Sequence, residues 1–285
     1  MLDRGTFPPD TRLDGPKARH SLVLHERTAA EEAAARIGEA EIVITNKVPI
    51  TKAVLDAAPN LKMVAVAATG YEVIDVAACK ARGIVVSNVR DYARNTVPEH
   101  CFALMLALRR SLIAYDRSVA AGRWLESGQF CYFDYPISDL AGSTLGIIGE
   151  ATPPYARFET VLEEADVLTF HVPLRPETRD MIGAAEFALM QRRPLIINAG
   201  RGGLVNEAAL AEALVAGKIA GAGFAVTSVE PMPADHPFQA LLGRPDFILT
   251  PHVAWASRQA TQAVADQVFA NIDALIAGKP VNVVG

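Results

Sequence analysis

A guanidinium, an imidazole and a carboxylate stand in three short motifs far apart in the chain. They are Arg201 in Asn198-Ala-Gly-Arg-Gly, His252 in Thr250-Pro-His-Val-Ala and Glu230 in Ser228-Val-Glu-Pro. The set suits hydride transfer at the carbonyl of a small anion. That reaction needs a cation to hold the carboxylate and polarise the carbonyl, and a group that passes a proton to or from the oxygen. Arginine is permanently charged and its planar fork matches a carboxylate at two points, whereas histidine titrates near neutrality and serves as acid or base. A carboxylate bonded to the histidine fixes its tautomer and favours the imidazolium, the form needed to reduce a carbonyl. Singly, each has a plainer reading: a surface arginine by a glycine turn, a solvated loop glutamate before Pro231, a strand-end histidine after Pro251. Together, in these flanks, the plain readings lose ground.

Positioning such groups calls for a sheet whose strand ends gather them. Short apolar, β-branched runs alternate with Ala-rich helical patterns from the start: Ile42–Thr45, 51–58, Met63–Val66, 74–81 and 84–86. This alternation predicts parallel strands with crossover helices, an α/β fold. Apolar residues then recur at helical spacing from Val97 to about Ala121, one long helix with Pro98 in its first turn. Residues 122–140 read as an aromatic, turn-rich loop leading to a second sheet. Its strands are expected at 145–148, 167–171, 195–198, 221–226 and 247–250, with helices at 184–190, 206–216 and 256–277. Arg201, Glu230 and His252 each follow one of these strands, where ligands gather in open α/β sheets.

Bulk properties narrow the class. A chain of 285 residues, 51% apolar, has material for two domain cores. A net charge of −5 with interspersed signs offers no footprint for nucleic acid or an anionic membrane and favours a small-molecule partner. Cys79, Cys101 and Cys131 are widely spaced without a CxxC pair, so they read as reduced core thiols of a cytoplasmic protein, with no zinc site or other metal expected. No apolar leader or membrane-length stretch is expected.

The chain resembles the D-isomer-specific 2-hydroxyacid dehydrogenases over nearly its whole length, nearest to glycerate dehydrogenases that reduce hydroxypyruvate and glyoxylate. The matching stretches are Ala68-Thr-Gly-Tyr-Glu-Val-Ile-Asp75, Ala81-Arg-Gly-Ile-Val-Val-Ser-Asn88, Val97-Pro-Glu-His100, His171-Val-Pro-Leu-Arg-Pro-Glu-Thr178, Asn198-Ala-Gly-Arg-Gly-Gly-Leu-Val205, Val229-Glu-Pro231 and Pro251-His-Val-Ala-Trp-Ala256. The resemblance implies a flavodoxin-like substrate domain, residues 1–93 plus 257–285, and a Rossmann-like nucleotide-binding domain, residues 94–256. It implies an oxidoreductase using NAD or NADP on a small 2-keto or 2-hydroxy acid, assembled as a homodimer. Arg201 would bind substrate, His252 would exchange the proton and Glu230 would pair with it. Ala68, Thr69 and Gly70 would also meet the substrate, the Thr69-Gly70 backbone holding its carboxylate, with a plain strand-ending turn as the lesser alternative for Thr69-Gly70. Thr96, Gly149, His171, Val172, Pro173, Thr178, Ala199, Gly200, Ala225 and Ala254 would line the cofactor.

Where the family continues into a GxGxxG turn, this chain runs from Thr144-Leu-Gly-Ile-Ile-Gly149 into Glu150-Ala-Thr-Pro-Pro154. Gly149 is the first fingerprint glycine and the only one left. The pyrophosphate-binding turn, its helix and the ribose-reading strand are missing, a shortfall of about two dozen residues against the usual layout. The opening strand before Met1 also looks clipped. Ala225 stands where the family usually has aspartate, and Asn206 replaces another aspartate that it equals as a helix cap. In the usual strand order 3-2-1-4-5-6, residues 145–148 read as strand 1 and 167–171 as strand 3, expected to pair directly across the closed gap, with a short helix at 158–164 between them. An active dehydrogenase and an inactive relative that binds or regulates are the two functions left open.

Overall fold

The expected alternation is realised as two parallel sheets. The computed structural model describes residues 1–149 and 155–285; the expectation about Glu150–Pro154 as the site of the fingerprint break lies outside the described residues. The chain divides into one unit of Met1–Asn95 with Trp255–Gly285 and a second of Thr96–Ala254.

The first unit contains α1 (Ala33–Ile37), β1 (Ile42–Thr45), α2 (Lys52–Asp56), β2 (Met63–Val66), α3 (Val76–Ala81) and β3 (Val85–Ser87). The strands lie in the order β1-β2-β3 and pair in parallel, Ile42 with Met63 and Met63 with Val85. All four residues of β2 are buried, as a central parallel strand covered on both faces requires. Thr51 and Asp75 cap the helices that follow them, accepting from the Val54 and Ala78 N–H groups. Two short extended segments, for which no strand was expected, enlarge this sheet. The Leu2 N–H donates to the Ile44 carbonyl at 2.9 Å, the His25 N–H to Met1 at 3.0 Å and the Arg4 N–H to His25 at 2.8 Å. Numbered along the chain, the segments and strands then run 2-1-3-4-5, the flavodoxin-like order. The unit ends in the C-terminal helix Arg258–Ile276, N-capped by Ser257; its Val264, Val268 and Ile272 pack with Met63 and Ala65.

The second unit contains α4 (Thr96–Arg109), α5 (Leu112–Ala120), α6 (Arg123–Ser127), β4 (Leu145–Gly149), α7 (Phe158–Glu164), β5 (Val167–His171), α8 (Ala184–Leu189), β6 (Leu195–Asn198), α9 (Glu207–Val215), β7 (Gly221–Phe224) and β8 (Phe247–Leu249). Its five strands are parallel and follow chain order, β4-β5-β6-β7-β8. The glycines of Gly221-Ala-Gly-Phe have a packing cause. A Cβ on Gly223 would meet Leu104 of α4 and Ile197 of β6 at 3.1 Å each, so the small residues let α4 lie close against the sheet.

Three expectations are corrected here. The single helix over 97–121 is two, broken where Ser111 takes a left-handed backbone (φ 47°). Returning chain supplies the partners at the break: Ser111 Oγ donates to the Pro136 carbonyl at 2.6 Å and the Ser138 N–H to the Arg109 carbonyl at 2.8 Å. The expected loop over 122–140 opens with the short helix α6. Finally, β4 and β5 do pair directly, from Leu145 with Val167 to Gly149 with His171, but β5 is not strand 3. It runs on through β6 and β7 in unbroken chain order, as the 1-4-5-6 half of a dinucleotide-binding sheet does, with β8 one strand further, and so occupies the place of strand 4. No gap needed closing. The places of strands 2 and 3, beyond β4, have no strand among the described residues, and Leu145 and Ile147 of β4 stay 42% and 43% exposed.

Candidate active site

Three neighbouring strands deliver the three chemical groups. β6, β7 and β8 are in register at their C-terminal ends, Asn198 with Phe224 and Phe224 with Leu249, so the turns carrying Arg201, Glu230 and His252 emerge side by side.

The Arg201 turn is set by a buried amide. Asn198, with no exposed surface, donates from Nδ2 to the Arg201 carbonyl at 2.8 Å and accepts the Gly200 N–H on Oδ1 at 3.1 Å. The half-buried Arg201 guanidinium donates to the Gly200 carbonyl at 3.0 Å. The next residue explains the second glycine of the motif, because a Cβ on Gly202 would fall on the Thr227 carbonyl. The Arg201 turn therefore lies backbone-on-backbone against the turn that presents Glu230.

Glu230 faces two ways. Oε1 accepts the Thr227 N–H at 3.1 Å, and Oε2 lies 2.6 Å from His252 Nδ1. With the carboxylate on Nδ1, the ring turns Nε2 outward as the nitrogen free to exchange a proton. Both side chains are about one-third exposed, open enough to meet a ligand. His252 itself sits in the left-handed region (φ 53°), held by its N–H bond to the Thr250 carbonyl at 2.9 Å across Pro251. A non-glycine residue in that region carries strain of the kind that collects at functional sites. His100 of α4 braces the same turn, its Nε2 lying 3.0 Å from Thr250 Oγ1, and burial lowers its pKa.

The other residues singled out from the sequence divide between the units. Thr96 Oγ1 donates to the Ala254 carbonyl at 3.1 Å, and Ala199, Ala225 and Ala254 are buried in one cluster with Cys101 and Leu104. Gly200 and Gly149 both mark close approaches, to the Phe170 carbonyl and to His171. Thr178 ties the turn after β5, donating to the Pro173 carbonyl at 2.7 Å and accepting the Arg175 N–H at 2.8 Å; Val172 packs on the main core nearby. Ala68, Thr69 and Gly70 belong to the first unit, just past β2, where Thr69 Oγ1 donates to the Val89 carbonyl and Asn88 Nδ2 to the Thr69 carbonyl. Asn206 caps α9 by accepting the Ala209 N–H at 2.9 Å. Cys79 and Cys101 are buried, and burial pushes the Cys79 thiol up to about 11; Cys131 is only half-buried, outside any core. Sequence reading quoted His100 in a matching stretch without giving it a role and passed over Glu207 and His236, although these are acid and imidazole side chains close to the other motifs.

Parallel strands ending in an arginine, a glutamate and a histidine define a class: nucleotide-dependent oxidoreductases of the α/β type. Residues 150–254 match the family model for the NAD-binding domain of D-isomer specific 2-hydroxyacid dehydrogenases. The chain is 49% identical to a glycerate dehydrogenase of Methylorubrum extorquens, with 93% of this chain and 92% of that protein covered. It is 33% identical to a hydroxypyruvate reductase of Blautia hydrogenotrophica, covering 97% and 96%. Among solved structures, a Thermus thermophilus protein superimposes with a TM-score of 0.82 at 30% identity over 93% of this chain and 91% of that one. An NADPH-dependent glyoxylate/hydroxypyruvate reductase of Sinorhizobium meliloti, solved with citrate, gives 0.77 at 30% identity over 92% and 90%. The chain belongs to the D-isomer-specific 2-hydroxyacid dehydrogenase family, and its cofactor class is NAD(P). No described helix is long and apolar enough to cross a membrane.

The alignments also register the shortfall. The one with the M. extorquens protein spans 290 residues while using 93% of a 285-residue chain, so that relative has residues without counterparts here. Against the dinucleotide, the residues present fit at one end. The strand-end turns carrying Arg201, Glu230 and His252, which would face the nicotinamide, are built, whereas Ala225 and Ala254, expected to line the cofactor, lie in the core at 0% and 3% exposure. The pyrophosphate end does not fit: the next glycine after Gly149 is Gly183, and no glycine turn leads into a helix there.

Proposed function

We propose that this chain is a 2-keto acid reductase of the glycerate dehydrogenase kind, acting on hydroxypyruvate/D-glycerate or glyoxylate, with weakened hold on its dinucleotide. The observation that carries the reading is the 2.6 Å contact of Glu230 with His252 Nδ1 beside the Arg201 turn. Arg201 holds the substrate carboxylate and draws charge from the carbonyl. His252 delivers a proton from Nε2 to the oxygen as the carbon is reduced, and Glu230 stabilises the imidazolium from which that proton leaves. A nicotinamide cofactor, when bound, exchanges the hydride. The names of relatives acting on glycerate, hydroxypyruvate and glyoxylate support the substrate class. The test is NADH or NADPH oxidation with each keto acid, compared with Arg201→Ala, which loses most of the keto-acid-dependent rate.

A second reading, an inactive relative that binds or regulates, is favoured by the loss of the fingerprint glycines. NADH fluorescence or calorimetry with millimolar cofactor separates the two, since a flat titration leaves only the second. Homodimerisation is supported by apolar surface over residues 112–137, where Leu125 and Phe130 are 88% exposed and Phe133 80%; sedimentation measures it. Cytoplasmic residence is supported by three unpaired cysteines.

A further inference from the structure

Behind the Glu230 turn lies a second carboxylate–imidazole pair, buried where the first is open. Glu207 is the first residue of α9, and its side chain is 7% exposed; that of His236 is 4% exposed. Phe238 donates its N–H to His236 Nδ1 at 3.1 Å, so the ring proton lies on Nε2, which faces Glu207 Oε2 at 2.8 Å. The same carboxylate accepts twice from one residue of the turn, the Ser228 N–H on Oε1 at 2.7 Å and the Ser228 hydroxyl on Oε2 at 2.5 Å. Three donors thus satisfy a buried charge with no lysine or arginine among them, and two of the three come from an exposed turn residue.

The grip passes directly to the proton-exchanging pair. Thr227, adjoining Ser228, donates its N–H to Glu230 Oε1, and its hydroxyl closes the turn on the Val229 carbonyl at 2.8 Å. Glu230 then meets His252 with its other oxygen. We propose that Glu207 and His236 are positioning residues, which clamp Ser228 so that Glu230 holds the His252 proton on Nδ1. This deepens the function proposed above and rests on it. A glutamine at 207 would turn an amide donor toward one of three donors, loosening the clamp at similar volume.

An imidazole free in water carries its proton mostly on Nε2, whereas the Glu230 contact demands Nδ1–H, so the tautomer is a direct readout. The experiment records side-chain 15N spectra of the full chain at pH 8, with His252 assigned from a His252→Asn sample. His100, the other titratable group at this turn, is neutral there because burial lowers its pKa. Glu207→Gln and Ser228→Ala should move His252 toward the Nε2–H form, the first more strongly, while Ser228→Thr retains the wild-type spectrum. In keto-acid reduction the first two should lower kcat roughly 10-fold with KM little changed. Folded Glu207→Gln and Ser228→Ala proteins with the wild-type tautomer would overturn the inference and leave Glu207 a purely structural residue. If Glu207→Gln does not fold, the Ser228→Ala and Ser228→Thr pair decides alone. A wild-type protein already in the Nε2–H form would remove the Glu230–His252 pairing itself, and the function proposed above with it.

Discussion

His252 combines a strained backbone with a chemically loaded ring, and the two can be separated by choice of substitution. Asparagine tolerates the left-handed region about as well as histidine, whereas alanine does not. His252→Asn is therefore expected to keep its melting temperature and lose about 100-fold in turnover, the range for positioned acid catalysis. His252→Ala should lose both; equal turnover in the asparagine variant and wild type would take the proton role from His252. His100 gives a second prediction at this scale. Burial depresses its folded pKa, so its neutral form contributes stability that is complete above the ordinary histidine value near 6.5 and is lost as pH falls through the folded value. Melting temperatures between pH 8 and pH 5 should drop less in His100→Gln than in wild type, and parallel curves would remove His100 from the acid response.

The turns after β6 and β7 touch through backbone, and Gly202 makes that possible. Gly202→Ala would drive a methyl into the Thr227 carbonyl, which cannot swing aside as a side chain does. The variant should lose about 1–3 kcal/mol of stability in urea unfolding and lose keto-acid reduction with it; an unchanged midpoint would refute the close contact. Much of this was legible beforehand. The β-branched runs located the strands to within two or three residues, and Arg201, Glu230 and His252 announced themselves by residue type and flank. Other features were written in no periodicity. The break at Ser111 depends on hydrogen bonds with residues 136 and 138, and the Glu207–Ser228–His236 clamp joins residues whose nearness only the sheet creates. The extended segments at residues 1–3 and 23–26 are short and interrupted by charged residues, so the apolar run of residues 22–24 did not stand out as a strand. Reading β5 as strand 3 was an error of counting that the pairing of β5 with β6 on its other side resolves, since strand 3 would have left β4 beside β6.

On the proposed function the molecule as a whole keeps the reacting end of a dehydrogenase, while its sequence has no glycine between Gly149 and Gly183 for the turn that would hold the cofactor's phosphates. Each charge-assisted hydrogen bond lost there costs about 1.5–3 kcal/mol, roughly 10- to 100-fold in affinity. NADH binding is accordingly expected only toward millimolar cofactor, and a micromolar dissociation constant by calorimetry would show that other residues replace the missing donors. The most direct test of the account is the oxidation of NADH and NADPH, at millimolar concentration, in the presence of hydroxypyruvate and of glyoxylate. Wild type should oxidise at least one cofactor in proportion to added keto acid, with Arg201→Ala and His252→Asn each close to the no-substrate rate. A wild type indifferent to both keto acids, or variants as fast as wild type, would contradict it.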